Sequence, residues 1–139
     1  MKEEISTLLV QNEVEPLDTL ELVLRDQSIK TCRAYSCQGA SLELARGNAV
    51  HLVFTDTTLP DGTWRDVLAL AAKAPTPIDV IVVARLVDVR LYLEVIESGA
   101  FDFITPPFAA CDVAHVIRCA ADDVLHKRYA QSAPHRMRN

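Results

Sequence analysis

Short apolar runs alternate along the chain with stretches in which apolar residues recur every three or four positions. Three runs, at residues 5–10, 50–55 and 78–83, are nearly continuous, which is typical of strands buried on both faces. Shorter runs at 31–35 and 101–105 have the β-branched and aromatic composition of strands. The pattern therefore predicts five strands.

Each strand is followed by a segment with helical periodicity. The helices are predicted around 17–24, 40–45, 64–73 and 88–98, and from Ala110 onward. Pro75 and Pro77 end the third, and Gly99 ends the fourth. Inward-facing positions are predicted at Leu17, Leu20, Leu24, Leu91, Val95, Ile96, Val113, Val116, Ile117, Ala120 and Val124. Five strands alternating with five helices predict a doubly wound, five-stranded parallel sheet in a three-layer α/β sandwich.

The length and net charge of the chain limit the number of domains and the functions that are expected. With 139 residues, the chain fits one domain, predicted over 1–131 with a flexible tail over 132–139 and no output domain. A net charge of −5 argues against binding nucleic acid through phosphate neutralisation. No secretion signal or bilayer-length apolar run is present, so we expect a cytoplasmic protein that does not contact membranes.

The four cysteines show no usual zinc spacing, and we expect them to be small buried or half-buried apolar residues. A sharper alternative concerns Cys111, His115 and Cys119, which step by four residues and are roughly followed by Asp122 and His126. Such a row could hold a metal. Its spread along a helix axis is poor for one tetrahedral ion, so ordinary helix packing is the main interpretation.

The run 50–55 ends at Asp56, and Pro60, Asp61 and Gly62 form a turn signal shortly afterwards. A carboxylate at the end of a strand lies where open α/β sheets place their ligands. This segment resembles the phosphoacceptor segment of the receiver domain of bacterial two-component response regulators. The resemblance extends over about 5–128 and implies a (βα)5, flavodoxin-like or CheY-like fold. It also implies that Asp56 is the residue that accepts a phosphoryl group.

The other site positions of the family have lost their functional groups. Gln11 and Asn12 stand at the acidic pair that helps to hold Mg²⁺, Ala84 at the hydroxyl and Pro106 at the lysine. The ligands available to any Mg²⁺ would be Asp56, Asn12 and the backbone carbonyl of Thr58, and Glu13 is adjacent in the sequence. We therefore expect no cofactor, and Mg²⁺ only if the site retains activity. Phe103 stands at the position of the family's switch aromatic, and Pro106-Pro107 resembles its cis peptide.

Two functions remain after this comparison, and neither is enzymatic, since the chain has no glycine-rich phosphate loop. The first is a stand-alone pseudo-receiver that acts through protein–protein interaction. The alternative is a conventional receiver phosphorylated on Asp56 by a histidine kinase. Losing two hydrogen bonds to a charged group removes about 3–6 kcal/mol, whereas inverting a 1:99 equilibrium needs about 5.5 kcal/mol. The pseudo-receiver is therefore favoured, with Asp56 as a satisfied polar residue that accepts amide hydrogen bonds.

The resemblance also implies a contact surface. Partners would be a histidine kinase or another signalling protein, or a second copy in a homodimer. Contact would use the fourth helix, fifth strand and fifth helix, where the candidate charged residues are Arg90, Glu94, Arg118 and Asp122.

Overall fold

The computed structural model describes residues 4–46 and 50–132. Its main sheet has five parallel strands in the order β2-β1-β3-β4-β5. The strands are β1 Ser6–Val10, β2 Lys30–Ala34, β3 Leu52–Asp56, β4 Asp79–Val83 and β5 Asp102–Ile104. Five helices connect or follow them: α1 Leu17–Asp26, α2 Cys37–Leu44, α3 Trp64–Ala72, α4 Val89–Glu97 and α5 Ala110–Ser132. The predicted doubly wound α/β fold is confirmed.

The two faces of the sheet are covered by different helices because successive strand residues point to opposite sides. Leu9, Phe54 and Ile81 pack with α1 and α5 in one buried cluster. Leu8 and Val53 belong to a second cluster, with α2 and α3 on the opposite face. The apolar runs are continuous because both faces of the central strands are buried.

Most inward positions are as predicted, including Val95 of α4 and the stripe of α5 that contains Val113, Ile117 and Val124. Strand and helix ends differ from the prediction by at most three residues, the largest difference being the start of α2 at Cys37. Ser132 lies in α5 rather than in the tail, and the rest of the predicted tail, 133–139, lies outside the described residues.

Two of the four cysteines contradict the expectation of burial. Cys37 is buried and Cys32 is partly buried, but Cys111 and Cys119 are exposed. They are exposed because they lie on the side of α5 opposite the apolar stripe that packs on the sheet. The helix-packing interpretation of Cys111 and Cys119 is therefore wrong.

Candidate functional site

A cavity of about 540 Å³ lies at the carboxyl ends of β1, β3 and β4. Parallel strands bring these ends to one edge of the sheet, where ligand sites of open α/β folds are found. The lining residues are Asn12, Glu13, Asp56, Thr57, Thr58, Val83, Ala84, Arg85, Leu86, Val87, Asp88 and Leu91. The cavity therefore gathers Asp56, Asn12, Thr58 and Ala84 from the predicted set, but neither Gln11 nor Pro106.

Asp56 ends the central strand and is only 8% exposed. Its Oδ2 accepts a hydrogen bond from the backbone N–H of Asn12 at 2.6 Å and a longer one from that of Glu13 at 3.4 Å. Burial raises the pKa of Asp56, while the Asn12 hydrogen bond lowers it, and burial is the larger effect. One carboxylate oxygen is therefore engaged by the chain itself.

Gln11 does not line the cavity, although the resemblance predicts it at an acidic-pair position. Its side-chain Nε2, which carries two N–H bonds, lies 2.9–3.0 Å from three acceptors: the carbonyls of Glu13 and Val14 and Oδ1 of Asp18. Three surrounding acceptors fix the orientation of the amide, because the reverse orientation would place its oxygen against other oxygens. Gln11 thus organises the β1–α1 loop with donors that an aspartate or glutamate does not have.

An ion pair between Glu13 and Arg85 crosses the cavity. Glu13 comes from the β1–α1 loop and Arg85 from the β4–α4 loop, so the pair joins the two loops that flank Asp56. Sequence reasoning noted Glu13 but missed Arg85. The available signal was its place directly after Ala84, at the same end of the sheet as Asp56.

Ala84 and Pro106 carry neither a hydroxyl nor an ammonium group. Ala84 is buried, and its N–H donates to the Ile104 carbonyl at 3.0 Å, so its methyl group lies in the cavity wall. Pro106 is exposed, and the Pro106-Pro107 peptide is cis. Ala84 and Pro106 therefore supply no hydroxyl or ammonium to a phosphoryl group on Asp56.

Phe103 is half-buried on β5, with its ring edge-to-face against Tyr92 at a centroid distance of 5.9 Å. A cavity of about 240 Å³ lies between them and the β4–α4 loop, lined by Val87, Asp88, Val89, Tyr92, Phe103 and Thr105. The aromatic contact holds Phe103 against α4. Because residue 84 is an alanine, it has no hydroxyl group that could move together with the Phe103 ring.

The oxygen donors at the cavity bear on the prediction that Mg²⁺ is not bound. This cation prefers several anionic oxygens in octahedral geometry. Asp56 has one oxygen already bonded to backbone amides, and Glu13 is paired with Arg85. Within residues 4–46 and 50–132, no three His, Cys, Asp or Glu side chains come together as a metal site. The other oxygen donors in the cavity wall are Asp88, which caps α4, the side-chain amide of Asn12, and Thr57 and Thr58.

The turn after Asp56 has a structural role that the sequence did not indicate. Asp61 accepts hydrogen bonds from the N–H groups of Cys37 and Gln38 at 2.7 and 3.0 Å, so it caps the start of α2. These bonds lower the pKa of Asp61. Thr63 and Asp66 form a reciprocal capping box at the start of α3. The turn therefore joins Asp56 to both neighbouring helices.

The candidate charged residues of the contact surface are all exposed: Arg90, Glu94, Arg118 and Asp122. Glu94 lies 3.6 Å from the guanidinium of Arg65 on α3. Along the described chain, no helix is both long and apolar enough to cross a membrane.

The chain belongs to the response regulator receiver domain family, whose model matches residues 7–118. Members of this family act in two-component signalling and interact with histidine kinases or other signalling proteins. The fold and the strand-end site described above agree with this assignment. No curated protein sequence matches the chain significantly.

Solved structures share the fold. The signal receiver domain of a putative LuxO repressor protein from Vibrio parahaemolyticus is 19% identical, with a TM-score of 0.78 over 94% of this chain and 100% of that one. A CheY-like receiver domain protein from Methanospirillum hungatei is 18% identical, with a TM-score of 0.74 over 89% and 98%. NtrX from Brucella abortus is 25% identical, with a TM-score of 0.77 over 93% of this chain and 30% of that one.

Proposed function

We propose that this chain is a pseudo-receiver, a cytoplasmic receiver domain that transmits signals through protein contacts without phosphorylation of Asp56. The observation that carries the proposal is the charge arrangement around Asp56. A carboxylate with one oxygen bonded to the Asn12 amide faces a cavity whose single cation, among the residues that line it, is already paired with Glu13.

The chemistry of phosphoryl transfer supports this proposal. Transfer to a carboxylate brings two anions together, and the charge must be neutralised by a metal ion or fixed cations. Gln11 points away from the cavity, Ala84 has no hydroxyl and Pro106 has no ammonium. Arg85 is paired with Glu13, which would compete with a phosphoryl group for its guanidinium. We therefore propose that the site binds neither Mg²⁺ nor phosphate strongly enough to act as a switch.

The surface proposed for partner binding is the side of α4 and β5. The β4–α4 loop exposes Leu86 and Val87 by 78% and 79%, and Val89 and Leu93 on α4 are also exposed. Apolar groups gathered on a surface are typical of protein interaction sites. Of these residues, Val87 and Val89 line the cavity of about 240 Å³ beside Phe103, together with Tyr92.

The charge of this cavity specifies the occupant. Asp88 is the one charged side chain in its wall, and its Oδ1 caps α4 by accepting from the Leu91 N–H. We propose that a signalling protein inserts an apolar side chain next to a lysine or arginine, which would meet the free carboxylate oxygen of Asp88. A homodimer through α4, β5 and α5 is the competing occupant.

Phosphorylation is tested by intact mass after incubation with acetyl phosphate and Mg²⁺. The native chain should gain no phosphoryl group. The matched control restores the family groups with Asn12→Asp, Ala84→Thr and Pro106→Lys, and leaves Gln11 in place because it holds the loop. This restored chain should be phosphorylated, and adding Asp56→Ala should abolish the modification. Phosphorylation of the native chain that is lost in Asp56→Ala would establish the conventional receiver instead.

The interaction surface is tested with a candidate histidine kinase or other signalling protein in a titration of the full chain. Val87→Glu and Leu93→Glu should weaken binding by at least about tenfold, since each places a charge at the apolar contact. Leu42→Glu changes an equally exposed leucine on α2 and should leave affinity unchanged. Light scattering tests whether the chain forms a homodimer through this surface. A concentration-dependent dimer that Val87→Glu dissociates would replace the heterologous partner.

A further inference from the structure

A row of potential metal ligands runs along the exposed side of α5. Asp112, His115, Cys119, Asp122 and His126 are spaced by three, four, three and four residues, so they lie on one helix face. All five are exposed, on the opposite side from the buried stripe. Every position of this face over four turns is a carboxylate, an imidazole or a thiol, and none contributes to the core.

Within the row, His115 and Cys119 already face each other. Nε2 of His115 and Sγ of Cys119 are 3.7 Å apart. Zinc binds sulfur at about 2.3 Å and imidazole nitrogen at about 2.0–2.1 Å, so a tetrahedral ion spans its two ligand atoms by about 3.6 Å. The pair is therefore spaced for bidentate binding without a change of helix geometry.

Cys111 does not share this arrangement. Its Sγ lies 3.9 Å from Oδ1 of Asp112, one residue along the helix. Across the described residues no three ligand-type side chains converge. A metal ion at this position would thus have two protein ligands, with its remaining coordination positions open to water or another donor. This differs from the three-ligand row that the sequence spacing indicated.

We infer that His115 and Cys119 form a surface binding site for a soft divalent cation of the zinc class. Imidazole and thiolate are the ligands that such ions select over the oxygen donors preferred by Mg²⁺. Asp112 and Asp122 lie one turn to either side and add negative charge that attracts a cation. Binding displaces the thiol proton of Cys119, because the thiolate is the ligand form. The site is independent of the state of Asp56.

The test uses the full chain, kept reduced, and Co²⁺ as a spectroscopic probe for the zinc class. A thiolate-to-cobalt absorption band should appear and should be displaced by Zn²⁺. Even indirect partners of metal ligands are worth about 10–100-fold in affinity, so His115→Ala should weaken binding by at least about tenfold. Cys119→Ser should remove the band, since no sulfur ligand remains.

Cys111→Ser is the matched control, because it removes an exposed thiol from the same helix and should leave the band and the affinity unchanged. The three substitutions are at exposed positions, and circular dichroism checks that each variant is folded. Absence of the band, or a band that persists in Cys119→Ser, would overturn the inference.

Discussion

The backbone N–H of Asn12 lies 2.6 Å from Oδ2 of Asp56 and ties the end of β1 to the end of β3. The acceptor carboxylate of the family is thus a hydrogen-bonded part of the scaffold in this chain. Substitutions at Asp56 therefore have consequences for stability as well as for chemistry.

We predict that Asp56→Ala is less stable than Asp56→Asn by about 1–3 kcal/mol, because asparagine keeps an acceptor for the Asn12 N–H and alanine does not. Burial raises the pKa of Asp56, so the charged form costs stability as the pH rises above about 4. The stability of Asp56→Asn relative to that of the native protein should accordingly increase between acidic and neutral pH. Urea unfolding at several pH values measures both effects, and equal stability of the two variants would contradict the hydrogen bond.

Gln11 offers a second prediction. Gln11→Glu places a carboxylate against the carbonyls of Glu13 and Val14 and the carboxylate of Asp18, where the native side chain donates. The free energy of unfolding should fall by about 1–3 kcal/mol. Asn12→Asp, at an exposed neighbouring position, should change it by less than about 0.5 kcal/mol. Similar losses in both variants would argue against the donor role of Gln11.

Gly62 lies in the turn that follows Asp56. A Cβ at this position would lie 2.8 Å from Sγ of Cys37 and would also meet the Asp66 carboxylate, which is held in the capping box. Gly62→Ala should therefore destabilise the protein by about 1–3 kcal/mol. Gly39→Ala is the control, because its Cβ would be no closer than 3.3 Å to other atoms and helix α2 favours alanine by about 1 kcal/mol. Thermal unfolding distinguishes the two.

The environment of Asp79 leads us to predict that the stability of the protein depends on pH. It begins β4, is buried, and lies 3.1 Å from Nζ of Lys127, which also contacts Asp123. Burial raises its pKa from 3.8 to about 7, reinforced by its hydrogen bond with Asp123 and opposed by Lys127. The folded protein thus retains a proton that the unfolded chain releases near pH 4.

The stability from Asp79 is therefore complete below about pH 4 and is lost as the pH rises to about 7, by at most about 1.4 kcal/mol per pH unit. The pKa of Asp123 is lowered, which acts in the opposite direction and reduces the net change. In Asp79→Asn the decrease between pH 4 and 7 should be smaller than in the native chain. Denaturant titrations across this range measure it, and parallel pH profiles would contradict the assignment.

Mg²⁺ should leave the fluorescence of Trp64 unchanged at millimolar concentration. The backbone N–H of Trp64 donates to the carbonyl of Thr57 in the cavity wall, so a shift of the Thr57 backbone on ion binding near Asp56 would change the position of Trp64. The restored chain with Asn12→Asp, Ala84→Thr and Pro106→Lys should respond, and Asp56→Ala should remove that response. A Mg²⁺ titration of the native chain that depends on Asp56 would contradict the prediction.

The fold was predictable because strands that are buried on both faces of a sheet appear in the sequence as continuous apolar runs. Continuous apolar strands and helices with three-to-four spacing suffice to identify a doubly wound sheet. The place of Asp56 at the end of β3 followed from the same pattern. The short hairpin of Thr58–Leu59 with Gly62–Thr63 was not predicted, since two-residue strands have no periodicity to detect.

Side-chain directions in loops were less predictable. Gln11 was expected beside Asp56, yet it turns into the β1–α1 loop, because the carbonyls of that loop need donors. The pairing of Arg85 with Glu13 joins residues 72 positions apart, so only the folded chain reveals it. The exposure of Cys111 and Cys119 could have been derived from their angular offset against the apolar stripe of α5.

The bond from Asp61 to the start of α2 has an evolutionary consequence. A receiver domain without phosphoryl chemistry would still be stabilised by the Pro60-Asp61-Gly62 turn, because Asp61 caps a neighbouring helix. Selection for foldability alone can preserve this part of the family signature. Recognition of a chain by that signature therefore reports shared ancestry and architecture, whereas competence to carry phosphate has to be judged from the other strand ends.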